Sequence, residues 1–278
     1  MRRVAATTVL AALGVWIGTA PADASVTVGQ TQADPQTCTD GYDWVQPTVT
    51  SGNTYIIPAA YPVQVITSWT NTANAFGGTM TMKVWRHASG SNYTAVAHDG
   101  PRTLYPNTVN TFSGLSIPVQ PGDLLGLHAG PGSPSCIFEI VGDAGHYFQG
   151  DVANGATGGP FAPDSDDRIN LTAEVSPSNA FNIGATARNK KRGTATLPLA
   201  IPNPGEVTVS GKGVKSADAS TSRAVVPGPV SLLIKAKGKK KRKLNRTGKV
   251  NLAAKISFAP TGGSPRTQTR KVKLQKRL

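Results

Sequence analysis

The densest acidic cluster of this 278-residue chain is Asp164-Ser165-Asp166-Asp167. Hard carboxylate oxygens gathered in one loop suit Ca²⁺, which makes Asp164, Asp166 and Asp167 the candidate ligands and calcium the one cofactor the residues suggest. The stretch lacks the spacing and the glycine of an EF-hand loop. An exposed polar turn ahead of a strand at Arg168–Val175, with Arg168 partly neutralising it, is the plainer account. Four histidines occur, His87, His98, His128 and His146, and none forms the i, i+4 pair of a metalloprotease helix. His128 closes an apolar strand that begins at Leu124, where Asp123 or Asp143 are candidate partners; a strand-end hydrogen bond is the simpler role. No Gly-x-Ser-x-Gly elbow is present, so serine hydrolysis has no support. Glycoside hydrolysis needs two carboxyl groups at a set separation. The chain has three glutamates, Glu139, Glu174 and Glu206, and scattered acids on a β-rich surface usually serve solvation.

Two further groups suit binding rather than catalysis. Trp69, Trp85 and Tyr93 lie on strand-like runs, and Trp85 alternates away from Met82 and Val84. An indole exposed on a sheet stacks on a sugar ring while its N–H finds a partner, so these three are candidate carbohydrate contacts; core filling is the commoner use of such residues. The second group is basic. Eight Lys/Arg fall between Lys237 and Lys249. Lys239, Lys240, Lys241, Arg242, Lys243 and Arg246 form the candidate polyanion contact, on what reads as a hairpin loop between two strands. No aromatics interleave with them and no recognition helix is evident, which argues against nucleic acid. An anionic cell-wall polymer or surface glycan is the better partner, with a solvated loop as the plain alternative.

The elements that must hold these groups divide at Ser176-Pro177-Ser178-Asn179. Residues 25–176 carry 12 Asp/Glu against 4 Lys/Arg, whereas residues 177–278 carry 23 Lys/Arg against 2 Asp/Glu. So sharp a segregation implies two folding units with different surface duties, one favouring polyanions. Gly 30 and Pro 21 punctuate the chain every few positions, with Val, Thr and Ser between them. That is the grammar of many short strands. Strands are expected at Val63–Thr70, Thr79–Arg86, Tyr93–His98, Thr108–Val119, Leu124–His128, Ile137–Val141 and Arg168–Val175, enough for an all-β, jelly-roll-like sandwich. In the basic half, Val250, Leu252, Ala254, Ile256 and Phe258 alternate, as do Leu197, Leu199 and Ile201, which fits a smaller immunoglobulin-like sandwich. Lys235, Lys237, Lys255, Lys271 and Lys273 sit beside or between the apolar positions, so their charge is displayed on a folded scaffold.

The N-terminus reads as an export signal over residues 1–24. Arg2 and Arg3 precede a mainly apolar run from Val4 to Gly18, and Ala22-Asp23-Ala24 offers a small-x-small cleavage site. The run falls short of the roughly 20 residues a spanning helix needs, and no second apolar run of that length follows. The mature chain is expected to begin at Ser25 and to be secreted or associated with the cell envelope. Cys38 and Cys136 are the only cysteines, and an oxidising exterior lets them pair. Such a bridge closes a loop of about 100 residues, worth about 4–5 kcal/mol in the chain-entropy treatment.

Ile66-Thr67-Ser68-Trp69, Met82-Lys83-Val84-Trp85-Arg86, Asn110-Thr111-Phe112-Ser113-Gly114-Leu115 and the stretch from Pro118 to Leu127 (PVQPGDLLGL) together resemble a secreted β-sandwich module of actinobacterial exported proteins. Arg192-Gly193-Thr194-Ala195-Thr196-Leu197, Gly205-Glu206-Val207-Thr208-Val209, Gly211-Lys212-Gly213-Val214 and Leu244 to Val250 (LNRTGKV) resemble the immunoglobulin-like module appended to it. The resemblance spans most of the mature chain and implies fold and location. That family has no settled activity, so it transfers no catalytic residue. The expectation is a non-catalytic exported or cell-surface protein. Its acidic domain, 25–176, would bind a ligand, with carbohydrate the class its aromatics suit, and its basic domain, 177–278, would associate with anionic envelope polymer. The competing expectation is a secreted hydrolase or lyase acting on polysaccharide through the acidic domain.

Overall fold

The computed structural model describes residues 25–216 and 223–278; the expected signal segment lies outside the described residues. In the acidic half the strands are β1 (Val26–Gln30), β2 (Gln36–Thr37), β3 (Tyr42–Thr48), β4 (Gln64–Thr72), β5 (Thr79–Ser89) and β6 (Asn92–Thr103). They continue as β7 (Val109–Val119), β8 (Leu124–Ala129), β9 (Ser135–Gln149), β10 (Thr157–Gly158), β11 (Ala162–Ile169) and β12 (Leu171–Pro177). One sheet runs β1-β12-β4-β7. The other runs β10-β6-β5-β8-β3-β9-β11, with β2 against β9. Within these, β1-β12-β4-β7 facing β3-β8-β5-β6 is the eight-strand double Greek key of a jelly roll, and the β9–β11 pair is an insertion that widens the second sheet.

The main core lies between the two sheets and includes Ile66, Trp69, Met80, Met82, Val84, Leu125, Leu127, Leu171 and Val175. Cys38 and Cys136 are bonded within it, with Cα atoms 5.7 Å apart. A second, smaller cluster holds Val45, Trp85, Tyr93, Ala95, Leu124 and Phe161. Strand β5 is therefore buried on both faces over Met80–Trp85, and the side of the sheet that carries Trp85 is covered. The cover comes from Val152, Phe161 and Phe148. Gly126 makes the fit possible, because a Cβ there would stand 2.5 Å from Trp85 Nε1, which donates to the Trp44 carbonyl at 3.1 Å.

The basic half begins with β13 (Asn182–Ile183), β14 (Ala187–Asn189), β15 (Thr194–Ile201), β16 (Gly205–Ser210), β17 (Val214–Ser216) and β18 (Arg223–Val225). It ends with β19 (Gly228–Ala236), helix α1 (Gly238–Thr247), β20 (Lys249–Pro260) and β21 (Arg266–Gln275). The sheets β13-β15-β19-β17 and β18-β16-β20-β21 enclose a separate core of Leu197, Leu199, Val207, Leu232, Ile234, Leu252, Ile256, Phe258 and Leu274. This is the ABED-on-CFG order of an immunoglobulin-like sandwich with β18 added beside its C strand. Alternation along β20 is complete: Val250, Leu252, Ala254, Ile256 and Phe258 point inward, while Lys249 and Lys255 are exposed.

The basic run is a helix and not the expected hairpin loop. Lys and Arg are good helix formers, and Lys239 to Arg246 contain no β-branched residue to oppose one. Leu244 anchors the helix in the core, and Gly248 closes it in the left-handed region (φ 67°), donating its N–H to the Leu244 carbonyl. At the joint between the halves, buried Asn203 accepts from the Val63 N–H and donates to the carbonyls of Val63 and Ser178.

Candidate functional site

Chemistry on the acidic half concentrates around Lys83. Its side chain points to the same covered face as Trp85, where Nζ lies 2.7 Å from Asp43 Oδ1, 2.6 Å from Asp151 Oδ1 and 3.0 Å from the Val152 carbonyl. The ammonium donates hydrogen bonds to Asp151 and the Val152 carbonyl and forms a close ion pair with Asp43. Asp43 is fully buried, and its Oδ1 also meets His128 Nδ1 at 3.0 Å while its Oδ2 accepts the Val152 N–H at 2.8 Å. Strand register explains the meeting, since Asp43 on β3 stands directly opposite His128 on β8. Asp43, His128 and Asp151 bring ligand atoms within 4.8 Å of one another, a spacing a metal could use. The Lys83 ammonium sits in their midst and is paired with both carboxylates, so the group is an ion cluster built around one buried lysine. Burial would raise the Asp151 carboxyl, but the hydrogen bond and charge of Lys83 outweigh it and hold it below the usual range.

The partner of His128 is thus Asp43 and neither Asp123 nor Asp143. Asp123 is bound bidentately by Arg86 at 2.8 and 3.0 Å, and Asp143 is bound by the buried Arg168. Glu139 stands on β9 and Glu174 on β12, in opposite sheets, so they do not form a paired catalytic set. The Asp164–Asp167 cluster also differs from expectation. It lies on β11, paired to β9, with a register shift between Ser165 and Asp167. Asp166 adopts φ 66° and turns its carboxylate to the Gly142 N–H at 2.7 Å. Among the described residues Asp164, Asp166 and Asp167 do not bring three ligand atoms within 4.8 Å of one another. Burial, then the charges of Asp164, Glu139 and Asp166, push Asp167 up to about 6.

The three aromatic contacts expected for a sugar are core residues. Trp69 and Trp85 have no exposed surface, and Tyr93 is buried with its ring edge-on to Phe161 at 5.2 Å. Trp69 Nε1 donates to Asp99 at 2.7 Å, and Tyr93 Oη meets His146 Nδ1 at 3.3 Å. Alternation placed Trp85 on the side away from Met82 and Val84, but that side is covered. None of the three can stack on a ligand.

The basic half presents an open site. A cleft of about 830 Å³ is bounded by β15, β17, β19 and helix α1, and six cations line it: Arg192, Lys215, Lys235, Lys237, Lys241 and Lys276. Thr194, Thr196, Asn189 and Asn245 add neutral hydrogen-bonding groups, and among the described residues no carboxylate lines it. Lys215 and Lys235 stand directly opposite each other on β17 and β19, an arrangement that costs stability unless an anion intervenes. Helix α1 sharpens the imbalance. Its first turn has no acidic residue and no side-chain cap, yet Lys239, Lys240 and Lys241 crowd the end where the helix dipole is positive. A second groove of about 620 Å³ on the other side of the helix adds Arg188, Lys212, Lys240, Lys271 and Lys273. Of the six expected polyanion residues, Lys241 lines the first cleft and Lys240 the second. Lys239, Arg242, Lys243 and Arg246 are exposed on the helix outside both. Arg192, Lys215 and Lys276 were not legible as site residues, because strand pairing and the closing C-terminal segment bring them in from distant positions. Among the described residues, no ion pair involves a cation of this half.

No family model matches the chain, and no curated protein does. Among solved structures, one that resembles it is the β-D-glucuronidase of Dictyoglomus thermophilum, at 8% identity and a TM-score of 0.21, covering 91% of this chain and 44% of that one. That score lies below the level of a shared fold, and the chain spans less than half the length of that enzyme. No helix of the described residues is long and apolar enough to cross a membrane, which says nothing of a β-barrel.

Proposed function

We propose that the chain is an exported, non-catalytic binding protein whose basic half holds an anionic envelope polymer and whose acidic half presents a ligand surface. The observation that carries the first part is the cleft of six cations, with no carboxylate among its described lining residues. Clustered cations on low-dielectric walls raise the local concentration of a polyanion, and among the described residues they have no carboxylate partner to displace. A cell-wall polymer bearing repeated phosphates or carboxylates fits two basic grooves flanking one helix better than a single small anion does. Export is supported by the N-terminal signal pattern and the Cys38–Cys136 bond. A binding role for the acidic half is supported by the use of its carboxylates: Asp43, Asp99, Asp123, Asp143 and Asp151 are each tied to a cation.

The test is co-sedimentation of the full mature chain with purified Gram-positive cell walls. Binding is expected at low salt and lost at about 0.5 M salt, where the screening length falls to about 4–5 Å. The double variant Lys235→Glu, Lys241→Glu is expected to weaken low-salt binding at least tenfold. Binding that survives both the salt and the charge reversal would overturn the reading.

A further inference from the structure

One end of the acidic sandwich carries exposed aromatic surface that its cores do not use. The described tryptophans are all buried, yet Phe76 is 61% exposed and Tyr105 is 68% exposed. Phe76 stands on the connection between β4 and β5, and Tyr105 on that between β6 and β7. The two connections lie together, since the Asn107 N–H donates to the Asn74 carbonyl at 2.6 Å and the Leu104 N–H to the Gly78 carbonyl at 2.9 Å. Beside them runs a groove of about 760 Å³, whose polar lining is Asp34, Thr72, Asn74, Asn107 and Thr108.

We propose that this groove binds a neutral carbohydrate chain, with Phe76 and Tyr105 as stacking platforms and the amides and hydroxyls of the groove reading its hydroxyl groups. The inference rests on the acidic half being the ligand-presenting half, and it moves the sugar contact from the buried Trp69, Trp85 and Tyr93 to the loop end. The chemistry of the lining selects the ligand class. Asp34 is its one charged group, so an anion meets no counter-charge, while a purely apolar ligand would leave the groove's hydroxyls and amides facing it without new partners. A pyranose presents C–H faces to aromatic rings and hydroxyls to amides, which matches both. The volume lies in the range of small-ligand sites and suits an oligosaccharide.

The platforms are also held in advance, which lowers the ordering cost of binding. Asn74 Oδ1 accepts the Phe76 N–H at 2.8 Å, and its Nδ2 donates to the Pro35 carbonyl at 2.9 Å. Buried Asn110 clasps Tyr105 from both sides, accepting its N–H at 2.8 Å and donating to its carbonyl at 3.1 Å. The backbones that carry the two exposed rings, which flank the groove and do not line it, are each fixed by a side-chain amide.

Affinity electrophoresis of the full mature chain tests this in gels containing a soluble β-1,4-glucan, xylan, mannan, galactan or dextran, run in about 0.5 M salt to silence the basic clefts. Retardation by at least one of these polymers is expected. Phe76→Ala and Tyr105→Ala should each weaken it about tenfold or more. Both residues are exposed, so both variants should keep the parent melting temperature, and Lys235→Glu, Lys241→Glu should be retarded like the parent. Absence of retardation in all five gels, or retardation unchanged in the two aromatic variants, overturns the proposal. Loss of cell-wall binding with glycan binding intact would fault the basic-cleft reading alone, and the reverse would fault this one alone.

Discussion

Lys83 and Lys235 are both strand lysines flanked by apolar residues, and their surroundings are opposite. Lys83 is buried, its ammonium shared between Asp43, Asp151 and the Val152 carbonyl. Lys235 faces an open cleft with Lys215 directly across from it and no carboxylate among the described lining residues. The contrast extends to the halves they belong to. Each of the four cations of residues 25–176, Lys83, Arg86, Arg102 and Arg168, is bound to an aspartate. In the other half no described cation is ion-paired. One half uses its cations within its own fold, and the other leaves the described ones facing solvent, where salt or a partner can screen them.

The largest expected effect tests the buried side of this contrast. Lys83→Ala strands the Asp43 carboxylate, which has no exposed surface, and should cost about 3–5 kcal/mol in chemical denaturation. Lys235→Ala should change stability by no more than about 0.5 kcal/mol. Equal losses for the two would remove the distinction between structural and displayed cations.

A smaller effect concerns Asp167. Its folded pKa, about 6, lies above that of a free carboxylate, so the fold binds its proton more tightly than the unfolded chain does. Its contribution is therefore most favourable below about pH 4 and is lost as pH rises through 6. Asp167→Asn should stabilise the protein at pH 7 by about 1 kcal/mol, after allowance for partial exposure, and by nothing measurable at pH 4. A gain of the same size at both pH values would show that repulsion among Asp167, Asp164 and Glu139 is not its source. The smallest effect belongs to the displayed side. Lys215→Thr removes one of two opposed like charges and should raise stability by a few tenths of a kcal/mol at low salt, fading as salt is added. Destabilisation instead would mean that Lys215 has a partner within the fold.

Much of the architecture was legible because period-2 alternation is a local property. Val250 to Phe258 give both the strand and its buried face, and the charge shift near Ser176 coincides with the passage from one core to the next. What could not be read is whether the second face of a strand is covered. Trp85 alternates correctly, but the side chains that bury it, Phe148 and Phe161, lie more than 60 residues later. The Asp43–His128 pair spans 85 residues and is set by sheet order alone. The basic run was misread for a different reason. Its place between two strands suggests a hairpin loop, whereas one buried leucine and a left-handed glycine suffice to make those residues a helix docked on the core.

Asn203 ties the halves through one side chain, with one bond to the Val63 N–H and two to the carbonyls of Val63 and Ser178. In a protein held to a wall at one end and to a glycan at the other, shear from flowing medium becomes tension between those ends. That tension runs through the short Ser176–Ser178 stretch and, in parallel, through the Asn203 bonds. If both proposed contacts hold, a pull between the halves loads this joint, where the Ser178 N–H to Val63 carbonyl bond shares the strain with Asn203.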